Sequence, residues 1–286
     1  MSKHSHAAIL SIFANIVDEH IASLRGTLSR LAAPSPTDED LHQFRVTLRR
    51  LRSAWVTFGP VLPCRFMTQW KPRLRALAAS TGPVREWDVL LSDWLPGARH
   101  GLAADDDVAR AWLDEAERKS REARRRDWEL LRAELAAPDV PQALADLERA
   151  VAAFKRDGGA GSQPRFARSR ASALRKKLIR RGRQPKRASA PRLHRARIAA
   201  KQWRYLYEAF YPALGVRAPK RYRAQLRKLQ DALGEVHDVE ASLARLAQLM
   251  TASPPASIVS AFHKRAAAAR KRAAKSLRWV RDHRAP

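Results

Sequence analysis

The strongest constraint on this chain is that one segment occurs twice. LHQFRVTLRRLRSAWVTFGPVL at residues 41–62 returns, 152 positions later and without a gap, as LHRARIAAKQWRYLYEAFYPAL at residues 193–214. At about 100° per residue, each copy carries an apolar stripe: Leu41, Phe44, Leu48, Leu51, Trp55, Phe58 and Leu62, then Leu193, Ala196, Ala200, Trp203, Tyr207, Phe210 and Leu214. The steps alternate between three and four residues, the spacing of a helix face packed along its whole length. The chain therefore reads as a duplication of helical units.

A second stripe on each copy is basic: His42, Arg45, Arg49 and Arg52, then His194, Arg197, Lys201 and Arg204. These positions fall within an arc of about 80° over roughly 15 Å of helix. Arginines on surface helices commonly just lead from the edge of the core into water. Two features argue for more than that. Like charges at these spacings weaken a helix, yet no Asp or Glu is interleaved along either row, and type, order and spacing recur while the intervening polar positions drift. A row of cations without counterions on its own helix predicts a counterion from outside the chain.

The charge balance says what kind. Fifty-six Lys and Arg stand against 28 Asp and Glu among 286 residues, a formal charge of +28, which points to a polyanion: nucleic acid, polyphosphate or an anionic membrane surface. Arg outnumbers Lys, favouring forked contacts with phosphate oxygens. The single cysteine, Cys64, excludes an intrachain disulfide and fits a reducing compartment. The apolar stretch AAILSIFANIV follows one Lys, lacks a small-residue cleavage site and runs into Asp18 and Glu19, so it reads as an opening helix. No apolar run is expected to span a bilayer, and a soluble, cytoplasmic protein is the expectation.

Periodicity predicts a first helix over residues 7–31. The repeat helix follows, entered through Thr37 as N-cap with Asp38, Glu39 and Asp40 in its first turn. Another helix runs from Pro63 to Ser80 and leads to a turn, GPVREWDVLL at residues 82–91, whose counterpart is LQDALGEVHDVE at 229–240. Helices over residues 105–135, 141–156 and 256–282 complete the pattern. Residues 158–164, a linker within the only glycine-rich stretch, divide an N-terminal half (1–157) from a C-terminal half (165–286). Residues 165–187 are overwhelmingly basic, a helix followed by a tether. No alternating strand pattern occurs, so the fold is expected to be all-α.

Phosphate-cradling glycine loops, cysteine pairs and helical His pairs at metal spacing are absent from the sequence. His42 and His194 could meet in space around a metal, but the arginine beside each would repel a divalent cation. Asp88, Asp231 and Asp238 are expected to cap backbone N–H groups or pair with arginine rather than act in acid–base catalysis. No cofactor, metal or catalytic residue is expected.

Taken together, residues 41–52, 193–208, 82–91 and 229–240 resemble the CHAD family, the conserved-histidine α-helical domain, over nearly the whole chain. The resemblance implies two helical bundles related by pseudo-twofold symmetry around a basic groove or pore, binding of inorganic polyphosphate, and for some bacterial members a place on polyphosphate granules. Carried onto matching positions, it implies polyphosphate contacts at His42, Arg45, Arg49, Arg52, His194, Arg197, Lys201 and Arg204, and on the following helices at Arg75, Arg85, Arg227 and Lys228. Gln202 and His237 depart from the family pattern. Polyphosphate-metabolising enzymes are expected associates and weak nucleic-acid binding is expected beside them; the alternative reading of the chain is a general nucleic-acid-binding basic protein.

Overall fold

The computed structural model describes residues 3–155, 161–185 and 188–283, and every regular element among them is helical. In chain order the helices are α1 (Lys3–Ala32), α2 (Asp38–Phe58), α3 (Cys64–Ser80), α4 (Gly82–Val89), α5 (Leu95–His100), α6 (Asp107–Ala136), α7 (Asp139–Ala152), α8 (Pro164–Arg181), α9 (Ala190–Tyr205), α10 (Tyr211–Ala213), α11 (Lys220–Leu249) and α12 (Ala256–Asp282). Wide π-turns at Leu90–Trp94 and Leu206–Phe210 join α4 to α5 and α9 to α10.

The repeated segment is α2 in one copy and α9 in the other. Thr37 starts α2 with a reciprocal cap: its hydroxyl accepts from the Asp40 N–H at 3.2 Å, while Asp40 Oδ2 accepts from the Thr37 N–H at 2.9 Å. Every residue of both apolar stripes is buried. Phe58 and Phe210, the same position of the two copies, meet edge to face at 5.8 Å. α2 packs on α1, α3 and α9; α9 packs on α8 and α11.

Two cores result, and each draws on both sides of the glycine-rich stretch. The larger gathers α1, α2, α3, α8, α9 and the first half of α11. In the smaller, Trp94 stacks on Phe262 of α12 at 5.2 Å, among Trp87, Trp112 and Leu246. Much of the glycine-rich stretch, residues 156–160, and residues 186–187 of the basic tether lie outside the described residues.

Two local expectations change. Residues 82–89 form the helix α4 rather than a turn, and their counterpart lies inside the unbroken α11, because Gly234 is tolerated mid-helix when neighbouring faces are buried. The helix expected from residue 141 starts at Asp139 and stops at Ala152; Pro141 sits in its first turn, where a missing N–H costs nothing. Within residues 4–32 one 18-residue window has a mean hydropathy of 1.4, so by length and composition alone this helix passes for a membrane span. Ile9, Phe13, Val17, Ile21 and Leu24 of that helix are fully buried in the larger core, which gives its apolar face a partner within the domain.

Where α8 ends, a Cβ on Gly182 would come within 2.6 Å of Leu277 Cδ2 on α12. Gly182→Ala is expected to lower the unfolding free energy by about 1–3 kcal/mol, the cost of overpacking a close approach, which urea titration will measure.

Candidate functional site

Packing α2 against α9 brings the middles of the two basic rows together. A cleft of about 380 Å³ opens between α2, α3 and α9, lined by Arg49, Arg52, Lys71, Arg75, His194, Lys201, Gln202 and Tyr205 over a floor that includes Trp55, Leu74 and Ile198. No carboxylate lines it. Arg49, Arg52, Arg75 and Lys201 have no Asp or Glu oxygen within 4 Å among the described residues.

Electrostatics show what this crowding costs. Lys201 is pushed down to about 6, first by burial, then by Arg197 and Arg49, with Asp238 opposing. Arg45 is lowered to about 10 by burial, then by Arg85 and Arg49, and stays charged at neutral pH. Its Nη1 donates to both the carbonyl and the hydroxyl of Thr81, at the break between α3 and α4. Arg52 is lowered by burial and by Arg75. The guanidinium of Arg49 lies 5.7 Å from the Tyr205 ring centroid, with Arg204 5.3 Å from the same ring. Arg49 Nε, Arg197 Nε, His194 Nδ1 and the Tyr205 hydroxyl are buried without a hydrogen-bond partner among the described residues, a costly set to leave unmatched.

The rows do not run bare from end to end, as the sequence suggested. Asp238 of α11 reaches Arg197 at 3.7 Å, and Glu208 reaches Arg204 at 3.4 Å and Arg227 at 3.5 Å. Carboxylates thus cover Arg197 and Arg204 of the second row and leave Lys201 between them unpaired, facing Arg49 and Arg52 of the first row, which meet no carboxylate among the described residues. Lys228 sits exposed on α11. His42 and Arg85 line a different cleft, of about 770 Å³, between α2, α4 and α6, where Asp38, Glu39 and Asp88 mix with Arg121, Arg124 and Arg125. Arg124 binds Asp88 at 2.7 Å and also Asp38. Asp88 and Asp238 therefore sit inside helices as partners of arginine, not at turns.

The two repeat histidines line separate clefts. His194 instead meets His237 of α11, ring centroids 4.7 Å apart. Burial first, then Arg197 and neighbouring cations, lowers both, His237 to about 4.

Four contributors escaped the sequence reading. Lys71 was visible beside the apolar face of its helix but had no repeat partner to mark it. Tyr205 is drawn inward where the π-turn at Leu206–Phe210 widens the helix and buries residues 205–207 in succession. His237 stood out in the sequence only as a departure from the family pattern, with nothing to place it against His194. Lys177 of α8 donates to Gln202 Oε1 at 2.9 Å, so the cation absent at position 202 is supplied from another helix.

Fold and site define an all-α domain built on two basic repeat helices whose centres meet. The chain belongs to the CHAD domain family, whose sequence model matches residues 15–247. A crystal structure of the CHAD domain from the plant Ricinus communis superposes with a TM-score of 0.73 at 24% identity, over 97% of this chain and 93% of that one. PptA from Streptomyces chartreusis superposes with a TM-score of 0.66 at 17% identity, over 96% of each chain. No curated protein sequence matches the chain.

Proposed function

We propose that the protein binds inorganic polyphosphate in the cleft between α2, α3 and α9, each repeat helix supplying one wall. One observation carries this reading: Arg49, Arg52, Lys71, Arg75 and Lys201 line one cleft with no carboxylate among them. Linear phosphate supplies the missing counterions through charge-assisted hydrogen bonds, and arginine forks match its paired oxygens. Membership in the CHAD family supports the same ligand class. The protein is a binder rather than a catalyst, since phosphoryl transfer needs groups to hold a metal or activate a nucleophile and no carboxylate lines this cleft. A cytoplasmic place on polyphosphate granules, among polyphosphate-metabolising enzymes, follows from this reading.

Nucleic acid is the competing ligand. Readers of single strands stack bases on exposed aromatic faces. Here Trp55 and Tyr205 are each 2% exposed, and arginines approach the Tyr205 ring. The test is a titration of long-chain polyphosphate at two salt concentrations with duplex DNA and single-stranded RNA as competitors. Polyphosphate should win at equal phosphate concentration, with log K falling against log salt by about 0.7 per phosphate neutralised. Equal competition by nucleic acid would replace this reading with a general nucleic-acid-binding one.

A further inference from the structure

A second basic cleft, of about 840 Å³, lies where the ends of α8 and α12 meet the start of α9. Arg183, Arg192, Arg278 and Arg281 line it over an apolar floor, with no carboxylate and no aromatic ring in the lining. Arg281 pairs with its chain neighbour Asp282 at 2.9 Å; the other three have no carboxylate within 4 Å among the described residues. Cations at the ends of α8 and α12 suit the negative ends of those helices. Arg192 joins them from the first turn of α9, which holds no acid and where a helix start disfavours a cation; its Nε donates instead to the carbonyl of Arg181, the last residue of α8. Gln184 at the rim takes φ = 50°, a left-handed conformation rarely held by a non-glycine residue.

The two clefts are connected through α8. Lys177 reaches the first by its bond to Gln202, which lines that cleft. One turn later Arg181 Nη1 donates to the Arg195 carbonyl at 3.2 Å, and the Arg181 carbonyl accepts from Arg192 Nε at 3.4 Å. Gly182, the next residue, lines the second cleft. Lys177 and Gly182 are about 8 Å apart along the helix axis. Burial lowers Lys177, and Arg181, Lys71 and Arg180 lower it further, as cations along one track would. Arg175 Nη2 fixes the far wall by donating to the carbonyls of Arg281 and His283, at 2.7 and 2.9 Å.

We propose that this cleft is a second polyphosphate subsite, joined to the first by the cationic end of α8, so that a long chain occupies both and a short chain only the first. The proposal rests on the polyphosphate reading above and gives the protein a physical means of selecting chain length. An extended polyanion fits because the second lining, like the first, offers cations without a base-stacking platform.

The test compares tripolyphosphate with long-chain polyphosphate on wild type, on Arg183→Gln/Arg192→Gln/Arg278→Gln, and on Arg278→Glu alone, an exposed position. Thermal unfolding of each variant reports its fold. The triple variant should lose about tenfold or more in long-chain affinity, with the salt slope reduced by about 2 for three lost contacts, while tripolyphosphate binding stays within about twofold. Arg278→Glu should weaken long-chain binding in the same direction. If wild type binds both ligands and both variants bind long chains as wild type does, the second subsite is wrong and the polyphosphate reading stands. Equal losses for short and long chains would also sink it, leaving only a diffuse field. If wild type binds neither ligand, both proposals fall.

Discussion

Arg49→Ala combined with Lys201→Met should weaken long-chain polyphosphate binding by about a hundredfold or more. Each residue offers a charge-assisted contact worth about 1.5–3 kcal/mol, and two such losses exceed the roughly 2.7 kcal/mol of a hundredfold change. These two positions are the decisive pair because they come from opposite repeat helices and meet at the unpaired centre of the site. Arg45 and Arg197 are poorer probes, since one holds Thr81 and the other faces Asp238. Stability should move the opposite way. A buried cation among cations opposes folding until a counterion arrives, so Lys201→Met alone should raise the free protein's unfolding free energy by about 1 kcal/mol or more, in line with hydrophobic replacement of buried charge. Isothermal titration and urea unfolding on the same preparations separate the two effects. Binding as tight as wild type in the double variant would remove this cleft as the polyphosphate site.

Polyphosphate affinity should rise as pH falls from 8 to 6, by up to about tenfold per unit, with Lys201 as the titrating group. Its folded value of about 6 lies below the ordinary 10.5. Between those values the unfolded chain holds a proton that the folded chain has released. The Lys201 contribution to stability therefore increases with pH across that window, by up to about 1.4 kcal/mol per unit, and is flat below about 6. A phosphate chain favours the ammonium, so binding above pH 6 takes up a proton and weakens as protons become scarce. The groups facing Lys201 are Arg197 on its own helix, Arg45 and Arg49 of α2, and Asp238 of α11, with His194 and His237 beside them. The basic rows also carry two histidines, His42 and His194. His194 is lowered by burial and by Arg197, and His42 lines the other cleft. Lys201→Arg keeps its charge across the range and should flatten the profile. An unchanged pH profile in that variant, or a flat one in wild type, would remove Lys201 from the role.

The repeat determined a great deal by itself. A three-and-four alternation of apolar residues can be satisfied only by burial along one helix face, so the stripes from Leu41 to Leu62 and from Leu193 to Leu214 were legible without coordinates, as were the all-α class and the Thr37 cap. The basic rows were legible for the same reason, since helical spacing fixes which side chains share a face. Which cations stay unpaired was decided largely by tertiary structure. Glu208 lies four residues after Arg204 and reaches it along the same helix, but Asp238 and Asp88 are remote in sequence, and only the packing of α11 and the contact of α4 with α6 bring them onto arginines. The same packing parts His42 from His194, sets His237 against His194, and brings Lys177 to Gln202, which stands where the first copy has Arg50. Periodicity records a helix's own faces; it carries no trace of what a neighbouring helix presents to them.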